Sequence, residues 1–163
     1  MNAELERHGW TVRKYERGDA EMLWESMADD ARCEFAQEGF DSFDSFVMDI
    51  ELSDHIETWL LDGKIVCAFW AGWNDDFTSR AFGCSVVGPS KIDRKYRVAR
   101  DSKLVVDDFM SREPSSIGDF VLIPEWAERL VRHASRMAGL EMVGAVSLDT
   151  GYYNVFKWNG GSR

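Results

Sequence analysis

Six cations, Lys91, Arg94, Lys95, Arg97, Arg100 and Lys103, fall within thirteen residues of a chain whose formal net charge is -10. Guanidinium and ammonium groups hold phosphates through charge-assisted hydrogen bonds, so this segment could serve as a phosphate site. The competing reading is a solvated helix face, partly neutralised by Asp93 and Asp101. A second group is aromatic. Trp70 and Trp73 close a β-rich run, and Phe77 follows the acidic turn Asn74-Asp75-Asp76. Exposed aromatic rings at the end of a strand favour contact with another protein subunit. Other chemistries lack their residues. Cys33, Cys67 and Cys84 have no C-x-x-C spacing and read as small apolar fillers. His8, His55 and His133 have no ligand partner at i+3 or i+4, so no metal site is expected. No strained G-x-S-x-G turn presents a serine nucleophile.

The elements that would position these groups follow from periodicity. A strand over residues 9–15 leads to Gly18-Asp19, where Asp19 reads as a helix N-cap. Met22, Leu23, Met27, Ala31 and Phe35 then recur at helical spacing over residues 20–35, and Gly39 sits where a helix would stop. Phe43, Phe46, Val47 and Ile50 form the apolar face of a second helix. The run Ile56 to Leu61, the pair Asp62-Gly63 and the run Lys64 to Ala71 spell a β-hairpin with a two-residue turn. A further strand runs from Arg80 to Val87. After it come a helix over residues 98–110, a strand over 117–123, a helix over 125–138 and a closing hairpin around Asp149-Thr150-Gly151. At 163 residues with 45% hydrophobic content, the chain reads as one α/β domain spanning 1–163. Its acidity argues against direct binding of duplex nucleic acid, and no apolar run is long enough to span a bilayer. The polar start from Met1 to Arg7 does not read as a signal peptide, so an intracellular setting is expected.

The order β-α-α-β-β-β-α-β-α-β-β resembles the GCN5-related N-acetyltransferase (GNAT) fold. Trp10-Thr11-Val12-Arg13-Lys14-Tyr15 with Gly18-Asp19-Ala20 looks like its first strand and capped helix. Leu61-Asp62-Gly63-Lys64-Ile65-Val66-Cys67-Ala68 looks like its second and third strands. The stretch from Ile117 to Trp158 is similar to a GNAT-like group among internal virion or virion-assembly proteins of short-tailed phages. The resemblance implies a mixed, mostly antiparallel sheet of six or seven strands with about four helices, whose fourth and fifth strands splay apart.

It also implies a place for coenzyme A, and there the chain departs from the family. Active GNAT enzymes follow the fourth strand with a turn of the form Q/R-x-x-G-x-G/A, whose backbone N–H groups hold the pyrophosphate. The matching stretch here, from Val86 to Arg97, has one glycine, and Pro89 removes a donor. The candidate coenzyme contacts are therefore Val87, Gly88, Ser90, Lys95 and Arg97. Many family members use a tyrosine four residues before the glycine that ends the next helix as general acid; here that place is Ser135. An alternative alignment makes residues 117–123 the fourth strand and puts Tyr152 and Tyr153 later. Glu57, Asp119 and Glu125 are the carboxylates offered as base by analogy.

These departures favour a phage accessory or virion-associated protein of assembly or DNA-ejection type on a degenerate acetyltransferase-like scaffold. Such a protein would act in the infected host cytoplasm or the virion, with other protein subunits as partners around Trp70, Trp73 and Phe77. No coenzyme is expected on that reading. The alternative is an acetyl-CoA-dependent N-acetyltransferase with a basic pyrophosphate site, for which acetyl-CoA or CoA is the ligand.

Overall fold

The computed structural model describes residues 1–37, 39–73, 80–87, 95–112, 120–136 and 139–158. Seven strands form one sheet in the order β1-β2-β3-β4-β5-β7-β6. They are β1 (Trp10–Lys14), β2 (His55–Leu61), β3 (Lys64–Trp73), β4 (Arg80–Val86), β5 (Phe120–Pro124), β6 (Glu141–Leu148) and β7 (Gly151–Lys157). The described helices are α1 (Ala3–Arg7), α2 (Arg17–Ser26), α3 (Asp29–Gln37), α4 (Phe43–Glu51), α5 (Lys95–Arg112) and α6 (Glu128–Arg136). The mixed, mostly antiparallel α/β architecture expected from the sequence is therefore present.

The β2–β3 hairpin turns on Asp62 and Gly63, both with positive φ (51° and 77°). That backbone matches the right-handed twist of the flanking strands, which is why an Asp-Gly pair sits there. One irregularity in this pair has a packing consequence. Trp59 faces Cys67 but Leu60 faces Ile65, so Val66 is bulged out of register. The extra residue lets Val66 and Cys67 join the same core, while Ile65 and Ala68 serve the other.

Those two cores lie on opposite faces of the sheet. On one, Trp10, Trp59, Cys67, Phe69 and Phe156 meet Leu5 of α1, Val105, Phe109 and Met110 of α5, and Ala134 of α6. On the other, Ala68 and Trp70 meet Ala20 and Leu23 of α2 and Phe46, Val47 and Ile50 of α4, with Phe35 of α3 packed against them. Each large apolar side chain buried on either face contributes about 1.5–3 kcal/mol, so both layers stabilise the sheet.

Local details differ from the sequence reading. The run expected as one helix over residues 20–35 is two, α2 and α3, with Met27 extended between them (φ -61°, ψ 141°). The Ser26 hydroxyl bonds back to the Met22 carbonyl, and Asp29 and Asp30 supply the acidic first turn that favours a fresh helix start. Asp19 is not the N-cap. It lies inside α2 and its carboxylate accepts the Glu16 N–H at 2.9 Å, two bonds from Arg13 at 2.8 and 2.6 Å, and the Thr58 hydroxyl at 2.7 Å. Helix α1 has no apolar period and went unnoticed; Asn2 caps it by accepting the Glu4 N–H at 2.8 Å. Cys33 is exposed rather than a filler, whereas Cys67 is buried.

Candidate active site

Among the described residues strands β4 and β5 are the one parallel pair, and they share one register pair, Ala81 with Phe120. Both residues lie at the start of their strands, so the two diverge toward their C-terminal ends. On its other edge each strand is fully occupied, β4 by β3 and β5 by β7. The result is a wedge whose vertex is at Ala81 and Phe120 and whose mouth lies between Val86–Val87 and Ile123–Pro124. An extended ligand carrying amides can pair with strand edges left in this way. Val86, at the mouth, is 40% exposed.

Helix α5 follows β4 and covers one face of the sheet. Lys95 opens it and is exposed. Arg97 points to the far end of the hairpin: its guanidinium pairs with Asp62 at 2.6 Å and donates to the His8 carbonyl. Val87 is buried and donates its N–H to the Val66 carbonyl at 2.8 Å. Gly88 and Ser90 lie outside the described residues. The basic segment therefore splits by function: Arg97 fastens α5 to the sheet, Arg100 binds Asp101 at 2.7 and 2.8 Å, and Lys103 pairs with Asp107.

Helix α3 covers the opposite face of the wedge, and three contacts fix it there. Phe35 stacks at 6.3 Å on Trp70, whose indole lies directly over Gly83 of β4. The Trp126 indole N–H, just beyond β5, bonds to Gln37, and Arg129 pairs with Asp30 at 3.7 Å. Thus α3 reaches from β4 to the β5–α6 turn. Beneath it, Ser85 is 2% exposed, and its hydroxyl has no hydrogen-bond partner among the described residues. Cys84, the next residue, has its thiol pushed up to about 12 by burial, with the negative charge of Glu34 adding to the shift.

The other candidates sit elsewhere. Glu57 is buried and held at both oxygens by Arg112, with His55 at 3.0 Å; this cluster lines an open depression of about 410 Å3 with Val12, Arg13 and Lys14. That ion pair fixes the C-terminal end of α5, away from the wedge. Glu125 is exposed, Asp119 is outside the described residues, and Ser135 is exposed. The Tyr153 hydroxyl bonds to Thr150 at 2.8 Å. His8 bonds to Asp101 at 3.1 Å, and burial pushes His133 down.

Of the three residues expected to form an aromatic contact surface, Trp70 is not at the surface. Trp70 is 5% exposed, with its indole N–H on Asp49 at 3.1 Å, because a strand residue at that register faces the α2–α4 core. Trp73 is 41% exposed, and Phe77 lies outside the described residues.

Chains of the same architecture are known. The chain superposes on AAC(6')-Ib in complex with ribostamycin and coenzyme A with a TM-score of 0.66 at 16% identity, covering 91% of this chain and 92% of that one. For the aminoglycoside N(6')acetyltransferase from Legionella pneumophila the TM-score is 0.64 at 8% identity, with 91% of each chain covered. For Ard1 from Thermoplasma volcanium it is 0.61 at 14% identity, with 94% and 99% covered. The fold is that of the GNAT acetyltransferases. At such identities the likeness extends to the fold alone. No protein-family model and no curated protein sequence matches the chain. The phage affiliation suggested by the sequence has no counterpart among these structures. No described helix is long and apolar enough to cross a membrane.

The sequence reading missed α3, Gln37, Trp126 and Ser85 as parts of this region. A serine within the otherwise apolar run Cys84 to Val87 was the one available signal.

Proposed function

We propose that the chain transfers an acyl group from an acyl-coenzyme A thioester to an amine nitrogen, with the thioester arm lying in the wedge between β4 and β5. The observation that supports this reading is the wedge itself, a parallel strand pair that meets at Ala81 and Phe120 and then opens beside the start of α5. A pantetheine arm carries two amides, and the facing strand edges offer them partners. The phosphates would then reach Lys95, where the N-terminus of an 18-residue helix adds partial positive charge. Arg97 serves that site indirectly, by fixing the first turn of α5 through Asp62.

In the transfer, the amine lone pair attacks the thioester carbonyl. The C–N bond forms, the C–S bond breaks with its electron pair on sulfur, and the thiolate gains a proton. With an exposed serine at position 135, solvent is the proton source at sulfur in this proposal. An acyl-coenzyme A donor would put the reaction in the cytoplasm. No observation among the described residues favours the virion-associated reading over this one.

Calorimetry with coenzyme A and a thiol-release assay with acetyl-CoA test it. Kanamycin and ribostamycin, bound by AAC(6')-Ib, are reasonable first acceptors. Binding of coenzyme A that weakens with salt, and thiol release that depends on amine, are expected. A protein that shows no heat with millimolar coenzyme A and no rise in melting temperature would sink the proposal.

A further inference from the structure

We propose that the outer edge of β6 is the contact through which two copies of this chain pair, antiparallel and about a two-fold axis, joining their sheets into one. The proposal stands apart from the acyltransfer reading and uses none of its residues.

Strand β6 lies at one end of the sheet and, among the described residues, pairs with β7 alone. Seven of its eight residues are exposed. Successive strand residues point to opposite faces, so a run of exposed positions means that both faces of β6 are bare as well as its outer edge. A Cβ built at Gly144, mid-strand, would meet nothing within 4 Å. Such bareness suits a polar strand, yet this one is apolar. Met142, Val143 and Leu148 are each about half exposed, and no charged side chain falls between Glu141 and Asp149. Tyr152 on β7 and Leu122 on β5 continue the exposed apolar surface on the neighbouring strands.

The opposite end of the sheet shows a guarded edge. Strand β1 is five residues long and carries Arg13 and Lys14. Short length and cations are usual means of keeping an edge from pairing with another chain. Strand β6 has neither. Its one irregularity, the bulge at Val143, leaves residues 144–148 in regular register with β7.

An edge presents unpaired N–H and C=O groups that any extended strand could use, and the side chains narrow the choice. The partner strand must be uncharged and apolar on both faces, as β6 itself is. Charge points the same way. The chain carries -10 overall, but residues 141–157 hold only Glu141, Asp149 and Lys157, so two acidic copies can approach there with little repulsion. In an antiparallel pair about a two-fold axis, one residue stands opposite its own copy. An axis at Ala145 would set Glu141 opposite Asp149 of the partner subunit, a like-charge pair, whereas an axis at Gly144 or Val146 avoids this. Position 145 is then one residue from the axis, and its two copies are neighbours. Such a contact is isologous and closes on itself as a dimer.

Sedimentation velocity on the full chain, from about 1 to 100 µM, measures the pairing. Wild type should be a dimer at the upper end. Ala145→Lys and Ala145→Glu each alter an exposed side chain and set like charges beside the axis, so each should weaken pairing about tenfold or more. Mixed one to one, the two variants should pair again, because unlike charges then meet. Leu52→Lys and Leu52→Glu make the same charge changes at the exposed end of α4 and should shift pairing by less than about twofold. Thermal unfolding confirms that each variant is folded. A wild type that stays monomeric throughout, or that forms an open series of larger assemblies, would overturn the proposal. So would Ala145 variants that pair like wild type, a mixture that stays monomeric, or an equal effect at Leu52. Coenzyme A binding should be the same in the Ala145 variants as in wild type, so a failure here leaves the acyltransfer reading standing.

Discussion

Replacing Gly83 with alanine should destabilise the protein through a single neighbour. A Cβ built at Gly83 would stand 2.6 Å from Cε2 and Nε1 of Trp70 and 2.7 Å from its Cζ2. Carbon atoms prefer about 3.5–4.0 Å, so the ring must retreat by roughly 1 Å. It has little room. Phe35 stacks on it at 6.3 Å, Phe46 meets it edge-on at 6.3 Å, and its N–H is held by Asp49 at 3.1 Å. Overpacking of this kind costs about 1–3 kcal/mol, and weakening a hydrogen bond to a carboxylate adds about 1–2 kcal/mol. A central value of about 3 kcal/mol corresponds to a fall in Tm of roughly 6–12 °C for a domain of this size. Thermal unfolding followed by tryptophan fluorescence measures the effect. In a Trp70→Phe background the smaller ring removes the obstruction, so adding Gly83→Ala there should cost at least about 1 kcal/mol less than in wild type. A Gly83→Ala protein melting within about 2 °C of wild type, or losing the same increment with Phe at position 70, would refute the reasoning.

The Asp101 carboxylate is buried, and burial alone would raise its pKa, but hydrogen bonds from Arg100 and Trp10 outweigh burial and hold it below its usual value of 3.8. Its folded pKa being the lower one, the stabilisation is complete above that usual value and is lost as pH falls through the folded value. Asp101→Asn should therefore lose about 2 kcal/mol at pH 7, assigned to the buried Trp10 bond alone, and the gap to wild type should close below pH ~3.8; denaturant melts showing a constant gap from pH 7 to 3 would contradict this. Lys95→Ala should weaken coenzyme A binding several-fold and flatten its salt dependence without changing Tm, whereas Arg97→Ala should lower Tm by freeing Asp62 from its ion pair; calorimetry and melting curves that show the reverse would reassign the two cations.

Much of the scaffold was written in local patterns. Asp62-Gly63 between two β-rich runs specified the central hairpin because that turn needs two residues tolerant of positive φ. The apolar period of Phe46, Val47 and Ile50 specified α4, and the order of elements resembled the GNAT fold, a resemblance that implied the parting of the fourth and fifth strands. What the chain could not show locally was how elements cross. Residues 20–35 keep one helical period through Met27, so the break there, set by Ser26 and by Asp29-Asp30, was invisible to periodicity. Arg97 read as a phosphate ligand because charge in a sequence has no address; only the packed hairpin puts Asp62 beside it. Trp70 read as a surface ring because a strand end looks exposed, until α3 and α4 close over it. Helix α3 keeps its place over the wedge through Trp126 and Arg129, roughly 90 to 100 residues away in sequence from Gln37 and Asp30, and contacts at that separation form only when the sheet brings β5 alongside β4.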